Sequence, residues 1–182
     1  MSKNSMKLNN LLFVVLAVLM MHCNQKGKHP MQGATPEEIR EQLLESSKSS
    51  AHQEDQQIER FIDANKLQMT RTGTGLRYLI TKKDTVGAPL VQLEQRVLVN
   101  YRVSLLNGKS CYSSKDNGGP REFTVGRDDV ESGLHEGIQL LRKGEHAIFI
   151  MPSHMAHGFT GDQQCIPGNS PIVYDIEVLY VR

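Results

Sequence analysis

V-L-V-N-Y-R-V-S-L, residues 97–105, places Val97, Val99, Tyr101, Val103 and Leu105 on one side of an extended chain and mostly polar residues on the other. A period of two is that of a strand with one apolar face. Asn107-Gly108 follows directly, a strong signal for a tight reversal. The pattern returns near the C-terminus in Ile172, Tyr174, Ile176, Val178 and Tyr180, and a shorter version precedes it in Leu76, Tyr78 and Ile80. Between these strands, Val130, Leu134, Ile138 and Leu141 fall at helical spacing, with Gly144 a few residues past the last of them. One-faced strands belong to antiparallel sheets, whose apolar side must be covered. The predicted fold class is therefore α+β, a twisted antiparallel β-sheet wrapped on a short helix and preceded by an N-terminal helical arm.

The arm occupies residues 34–72, ahead of a domain at 73–182. Thr35, Pro36 and Glu38 have the arrangement of a capping box, with threonine as N-cap, proline at the first helical position and glutamate reaching back. Ile39, Leu43 and Leu44 follow, then S-S-K-S-S at 46–50 predicts an interruption, and Ile58, Phe61 and Ile62 start a second helical stretch with Leu67 just beyond. So narrow a stripe needs a partner, whether its own domain, a second copy or another protein. The acidic and basic residues of 37–60 are expected to form its solvated face.

Farther out, Lys3 and Lys7 precede an uncharged apolar run from Leu11 to Met21 that ends at Cys23. At about 11 residues the run is too short for a permanent span, which needs about 20. It has the form of an export signal, and the cysteine after it suggests a lipoprotein with a signal peptide at 1–22, lipid on Cys23 and a polar tether at 23–33. Lipidation would hold the protein on a bacterial membrane outside the cytoplasm, more readily on the periplasmic side than at the cell surface. The remaining cysteines, Cys111 and Cys165, make an even pair in a compartment where disulfides persist. The whole chain has 182 residues, with 21 Lys+Arg against 20 Asp+Glu and no Trp, so it offers neither the charge nor the stacking surface of a nucleic-acid binder.

The blocks V-L-V-N-Y, L-N-G-K-S, Y-S-S, F-T-V-G, V-E-S-G-L-x-E-G-I-x-L-L-x-K-G-E, P-S-H-M-A-H-G, I-P-G-N-S and V-Y-D-I-E-V-L succeed one another from Val97 to the C-terminus, with T-G-L-R-Y-L-I as a lead-in. In this order they resemble the FKBP-type peptidyl-prolyl cis-trans isomerase domain. The leader and arm are similar, more loosely, to the FKBP-type lipoproteins associated with gliding motility. The resemblance implies an apolar pocket between sheet and helix that takes a substrate proline, with no metal or cofactor. Tyr101 would line the pocket floor, with Phe123, Val130, Ile166 and Tyr174 in its walls. Glu131 would offer its backbone N–H to the substrate carbonyl.

Departures from the family pattern are as specific. Cys111 and Tyr112 stand where an aromatic and an aspartate are usual, Leu134 where a larger side chain often forms the base, and Arg121 at a rim position that is often aromatic. His157 replaces a tyrosine whose hydroxyl donates to the substrate, and it retains a ring N–H for that task. His154 and His157 invite a metal reading, but four clear ligands are not assembled. The resemblance also places Cys111 beside the loop that carries Cys165. A disulfide there would close a loop of about 55 residues and stabilise by roughly 4 kcal/mol, the alternative being two separate thiols. The expected function is extracytoplasmic prolyl isomerisation on proline-containing polypeptide clients, assisting the folding of exported or surface proteins. The alternative is a catalytically weak binding or assembly module, for gliding or secretion machinery, with the arm available to a protein partner or to self-association.

Overall fold

The computed structural model describes residues 35–83 and 87–182; the expected export signal, lipidation at Cys23 and tether fall outside the described residues. Helix α1 (Pro36–Ala64) is followed by strands β1 (Thr70–Arg71), β2 (Arg77–Lys82), β3 (Arg96–Leu105), β4 (Ser110–Ser113) and β5 (Arg121–Thr124). Then come helix α2 (Ser132–Ile138), strand β6 (His146–Met151), a single 3-10 turn at Ser153–Met155, and strand β7 (Ile172–Val181). The strands form one antiparallel sheet in the order β1-β2-β6-β7-β3-β4, with β5 also on β3. Strand β3 is the hub. Its whole length pairs with β7, from Val97 opposite Val181 to Leu105 opposite Ile172, while its other edge takes β5 at Arg96–Val99 and β4 at Arg102–Ser104. The turn at Asn107-Gly108 brings β4 back, with Gly108 at φ 85°, where a side chain would be strained.

Alternation decides what each face meets. Val97, Val99 and Val103 of β3, Ala147, Phe149 and Met151 of β6, and Ile172, Tyr174, Ile176 and Val178 of β7 are all buried in one apolar core with Leu134 and Ile138 of α2. Helix α2 is shorter than the spacing of Val130 to Leu141 predicts. Val130 precedes its N-cap, and Leu140 and Leu141 are held by turn hydrogen bonds to Gly137 and Ile138. The helix lies close to the sheet because Gly133 and Gly137, one turn apart, face it. A Cβ at Gly137 would sit 2.7 Å from the Phe149 ring, and one at Gly133 2.8 Å from the Met151 sulfur.

By its internal contacts the chain divides into a unit ending at Glu45 and a unit of Ser46–Arg182. In the first, the capping box forms: the Thr35 N–H donates to the Glu38 carboxylate at 2.7 Å and the Glu38 N–H donates to Thr35 Oγ1 at 3.3 Å. The Thr35 backbone N–H, aided by its hydroxyl, holds the Glu38 carboxyl below its ordinary value. Leu43 and Leu44 are exposed. The predicted break at 46–50 does not occur, and α1 runs as one helix of 29 residues. Serines interrupt the apolar stripe without breaking the backbone, since each costs well under about 1 kcal/mol relative to alanine.

In the second unit, Ile58 and Ile62 of α1 pack with Ile150 of β6, joined by Phe61, Leu67, Met69, Leu106 and Val173, on the sheet face opposite α2. The expected solvated face of the arm is corrected here. Glu54 is buried and accepts the Ser153 N–H at 2.8 Å and the Ser153 hydroxyl at 2.5 Å. Arg77 of β2, only 2% exposed, pairs with Asp55 and with Glu59 and donates to the Gly75 carbonyl. A buried backbone N–H and a buried guanidinium both need partners, so charged residues of α1 turn inward to supply them.

Candidate active site

Five elements converge at the end of the core bounded by α2. Strand β3 supplies Tyr101, β7 supplies Tyr174, β5 supplies Phe123, α2 and its lead-in supply Val130, Glu131 and Leu134, and the loop of 156–171 supplies His157 and Ile166. Phe123, Leu134, Ile166 and Tyr174 are 1–4% exposed and form a closed apolar floor. Tyr101, Tyr112, Val130, Glu131 and His157 stand half-buried around it. The Tyr101 and Tyr174 rings lie 6.1 Å apart at 38°, and the Phe123 ring meets His135 edge-on at 6.0 Å. Tyr101 is fixed from both ends: its backbone N–H donates to Ser114 Oγ at 3.2 Å, and its hydroxyl accepts from Asn117 Nδ2 at 3.1 Å.

Sequence reasoning missed the rim chemistry. Glu131, expected to act through its backbone, also turns its carboxylate into the site. The Tyr174 hydroxyl donates to it at 3.0 Å, and His157 Nε2 lies 3.2 Å from the same group. Burial, together with the Glu131 charge, pushes the Tyr174 hydroxyl well above its ordinary range, so it stays protonated and remains a donor. Glu131 is the N-cap residue of α2, with φ −56° and ψ 139°, and among the described residues none accepts its backbone N–H. The backbone donor the resemblance called for is therefore available, while the ring donor of His157 faces a carboxylate. His154 is separate, its Nε2 3.1 Å from the Thr74 carbonyl, so the two histidines do not share a partner.

The loop over the site is tied down twice. A disulfide joins Cys111 of β4 to Cys165, and the neighbouring Tyr112 hydroxyl donates to Asp162 of the same loop. Asp162 also accepts the N–H groups of Gln164, Cys165 and Ile166 at 2.8–3.0 Å. Burial opposes ionisation of Asp162, but the Tyr112 hydroxyl and the three N–H groups outweigh it and bring its pKa down to about 2. The same pairing raises the Tyr112 hydroxyl. Tyr112 thus acts on the loop at the pocket edge, and Asp162 is a site residue that sequence reasoning passed over. Its signal was present in G-D-Q-Q-C, an aspartate followed by residues whose N–H groups it can cap.

An apolar floor closed by a strand-helix-loop arrangement, with a free backbone donor at the mouth, can bind a small apolar ring and hydrogen-bond the carbonyl before it. Comparison with known proteins agrees with that geometry. Residues 88–179 match the family described as FKBP-type peptidyl-prolyl cis-trans isomerase. A probable FKBP-type isomerase FkpA of Neisseria meningitidis is 31% identical over 147 residues, covering 80% of this chain and 53% of the relative. A probable FKBP-type isomerase of Haemophilus influenzae is 33% identical over 157 residues, covering 81% of this chain and 62% of that protein. The chain therefore spans little more than half the length of these relatives. It covers 79% of the Xenopus laevis isomerase FKBP1A at 38% identity. Among solved structures, FkpA from Escherichia coli superposes over the full chain with a TM-score of 0.63 at 22% identity, covering 98% of that structure, and so supports the fold. With half of its residues matched in one block and the pocket built from that block, the chain belongs to the FKBP-type peptidyl-prolyl cis-trans isomerase family.

Proposed function

We propose that this protein is a prolyl isomerase of exported polypeptides, tethered outside the cytoplasm by lipid on Cys23. The observation that carries the catalytic reading is the closed floor of Phe123, Leu134, Ile166 and Tyr174 beneath the unpartnered Glu131 N–H. An X-Pro bond rotates across a barrier of about 18–20 kcal/mol because rotation breaks amide resonance. A pocket that grips the proline ring and leaves the preceding carbonyl to swing needs no nucleophile. The Glu131 N–H, fixed by the helix start, donates to that carbonyl when it is twisted, and a donor aimed at the twisted geometry stabilises the transition state more than the planar amide. Exclusion of water by the tied loop strengthens the bond. The location reading is supported by the Lys3 to Cys23 leader and by the Cys111–Cys165 disulfide, a bond that persists in oxidising compartments.

A second reading, a binding module with little turnover, is favoured by one feature. The Glu131 carboxylate engages both His157 and Tyr174, so the side-chain donor that the family uses on substrate is already occupied. The purified, oxidised protein assayed on X-Pro peptides separates the two. Isomerisation faster than the spontaneous rate, reduced by Tyr101→Ala, establishes the enzyme. A flat rate with retained binding of the same peptides leaves the binding module. Incorporation of labelled fatty acid, lost in Cys23→Ser, tests the anchor, and its absence from the wild-type chain would remove the tether.

A further inference from the structure

The rim of the proline site holds its histidine by one nitrogen. His157 Nε2 lies 3.2 Å from Glu131 Oε1. An ionised carboxylate only accepts, so the ring proton on that side sits on Nε2. The same carboxylate takes the Tyr174 hydroxyl at 3.0 Å, which anchors it to β7. His157 Nδ1 makes no hydrogen bond among the described residues, and the side chain is 27% exposed, so this nitrogen is open to water or to a client. The consequence is a matter of proton count. A neutral imidazole carries a single N–H, and with that proton committed to Glu131 it shows a client only the Nδ1 lone pair, which a carbonyl oxygen cannot use. The imidazolium has an N–H on each nitrogen, so the protonated ring can hold Glu131 through Nε2 and still donate from Nδ1.

A tyrosine hydroxyl, which the resemblance puts at this position, donates throughout the neutral range. Histidine ordinarily changes charge between about pH 5 and 8, so the exchange makes the donor conditional. The other ionisable groups around the site are Tyr174 of β7, Tyr101 beside it on β3 and Arg121 of β5, with Tyr112 and Asp162 paired to each other at the loop. Tyrosine, arginine and aspartate ordinarily titrate outside that interval. His135, edge-on to Phe123, is occupied at both nitrogens: Nδ1 accepts the Gly126 N–H and Nε2 meets the Asp128 carbonyl, so it has no proton to offer a client. We propose that His157 acts as a catalytic donor only in its protonated form, held by Glu131 at Nε2 and presenting Nδ1–H to a client carbonyl, so that isomerisation quickens as the medium turns acid. The proposal rests on the isomerase reading above.

Two measurements on the full oxidised chain test it. Nitrogen NMR of ring-labelled histidine, with the His157 signals assigned by their loss in His157→Phe, should show the neutral ring as the Nε2–H tautomer. A neutral Nδ1–H tautomer overturns the proposal. The catalysed rate on a blocked, uncharged X-Pro peptide, measured above the spontaneous rate at each pH, should rise about tenfold between about pH 8 and about pH 5, following the NMR titration of His157. His157→Phe should abolish the rise. Glu131→Gln keeps the backbone N–H and an acceptor for Tyr174 but turns an amide N–H toward His157 Nε2. The neutral ring then carries its proton on Nδ1, and the rate should be flat across the same interval. A flat profile in the unsubstituted chain, a rise that survives His157→Phe and so belongs to another group such as His135, or an undiminished slope in Glu131→Gln each overturns the proposal. If the unsubstituted chain accelerates no peptide at any pH, the isomerase reading falls. Affinity for the same peptide then decides the donor by itself: tighter binding in acid, lost in His157→Phe, supports it, and binding that is absent or independent of pH removes it.

Discussion

Strand β6 serves two helices by different means. Ala147, Phe149 and Met151 point to α2 through a wholly apolar contact, whereas Ile150 points to α1 across a contact whose small apolar centre is flanked by buried Glu54 and Arg77. The first contact is held by shape. Gly133 and Gly137 bring α2 within reach, and the side chains of the sheet fill the gap. The second combines three isoleucines with directional bonds, Glu54 to Ser153 and Arg77 to Asp55 and Glu59. The α2 contact should therefore fail through lost volume and the α1 contact through lost partners.

The largest effect is expected where volume is lost. Phe149 is fully buried, pairs with Tyr174 across the strands and rests on Gly137. Phe149→Ala should destabilise by about 3–5 kcal/mol, read from the denaturant midpoint. A loss under about 1 kcal/mol would mean that the contact repacks and that the proposed difference between the two helices is false. Next comes the loop over the site. The Cys111–Cys165 bond encloses a separation of 54 residues, and Cys111→Ser with Cys165→Ser should cost about 2–4 kcal/mol. Unchanged stability against the oxidised parent would show that Asp162 and Tyr112 hold the loop unaided.

Glu54 should cost less, and more locally. Glu54→Ala leaves the buried Ser153 N–H and hydroxyl without their acceptor, a penalty of about 1–3 kcal/mol. Amide exchange should quicken at Ser153 and along the second half of α1 while the core strands keep their protection. Uniform acceleration across β3 and β7 would mean that α1 and the sheet unfold as one, against the contrast drawn here.

The same contrast explains how much could be read in advance. Apolar alternation in β3 and β7 and the spacing of Leu134 and Ile138 are local patterns with one solution, a covered antiparallel sheet, and the floor residues Phe123, Ile166 and Tyr174 follow once the block order is matched. Arg77 gave no such sign. It occupies an alternating strand as any surface arginine would, and its burial depends on Asp55 and Glu59, about twenty residues earlier on another element. Glu131 was placed by its backbone, but the direction of its carboxylate was set by Tyr174 and His157, which meet it only in three dimensions. Long-range polar pairing has no period, so it is invisible to any reading based on period.

The smallest effect is confined to acid. With its pKa at about 2 in the fold and near 3.9 when unfolded, Asp162 releases its proton more readily in the folded state. Stability from this group is therefore fully present above about pH 4 and is lost as pH falls toward 2. Asp55 shifts in the same direction through its hydrogen bond with Arg77, so the α1 contact shares the sensitivity. Asp162→Asn should lower stability at neutral pH and flatten part of the acid limb. Tyr112→Phe, which removes one donor and leaves the three N–H groups, should move the Asp162 pKa only part of the way back. Carboxyl titration by NMR distinguishes the contributions: an Asp162 that titrates near 4 in the intact protein would show that the loop is held by its disulfide and its apolar residues rather than by a polar clamp of the kind α1 has.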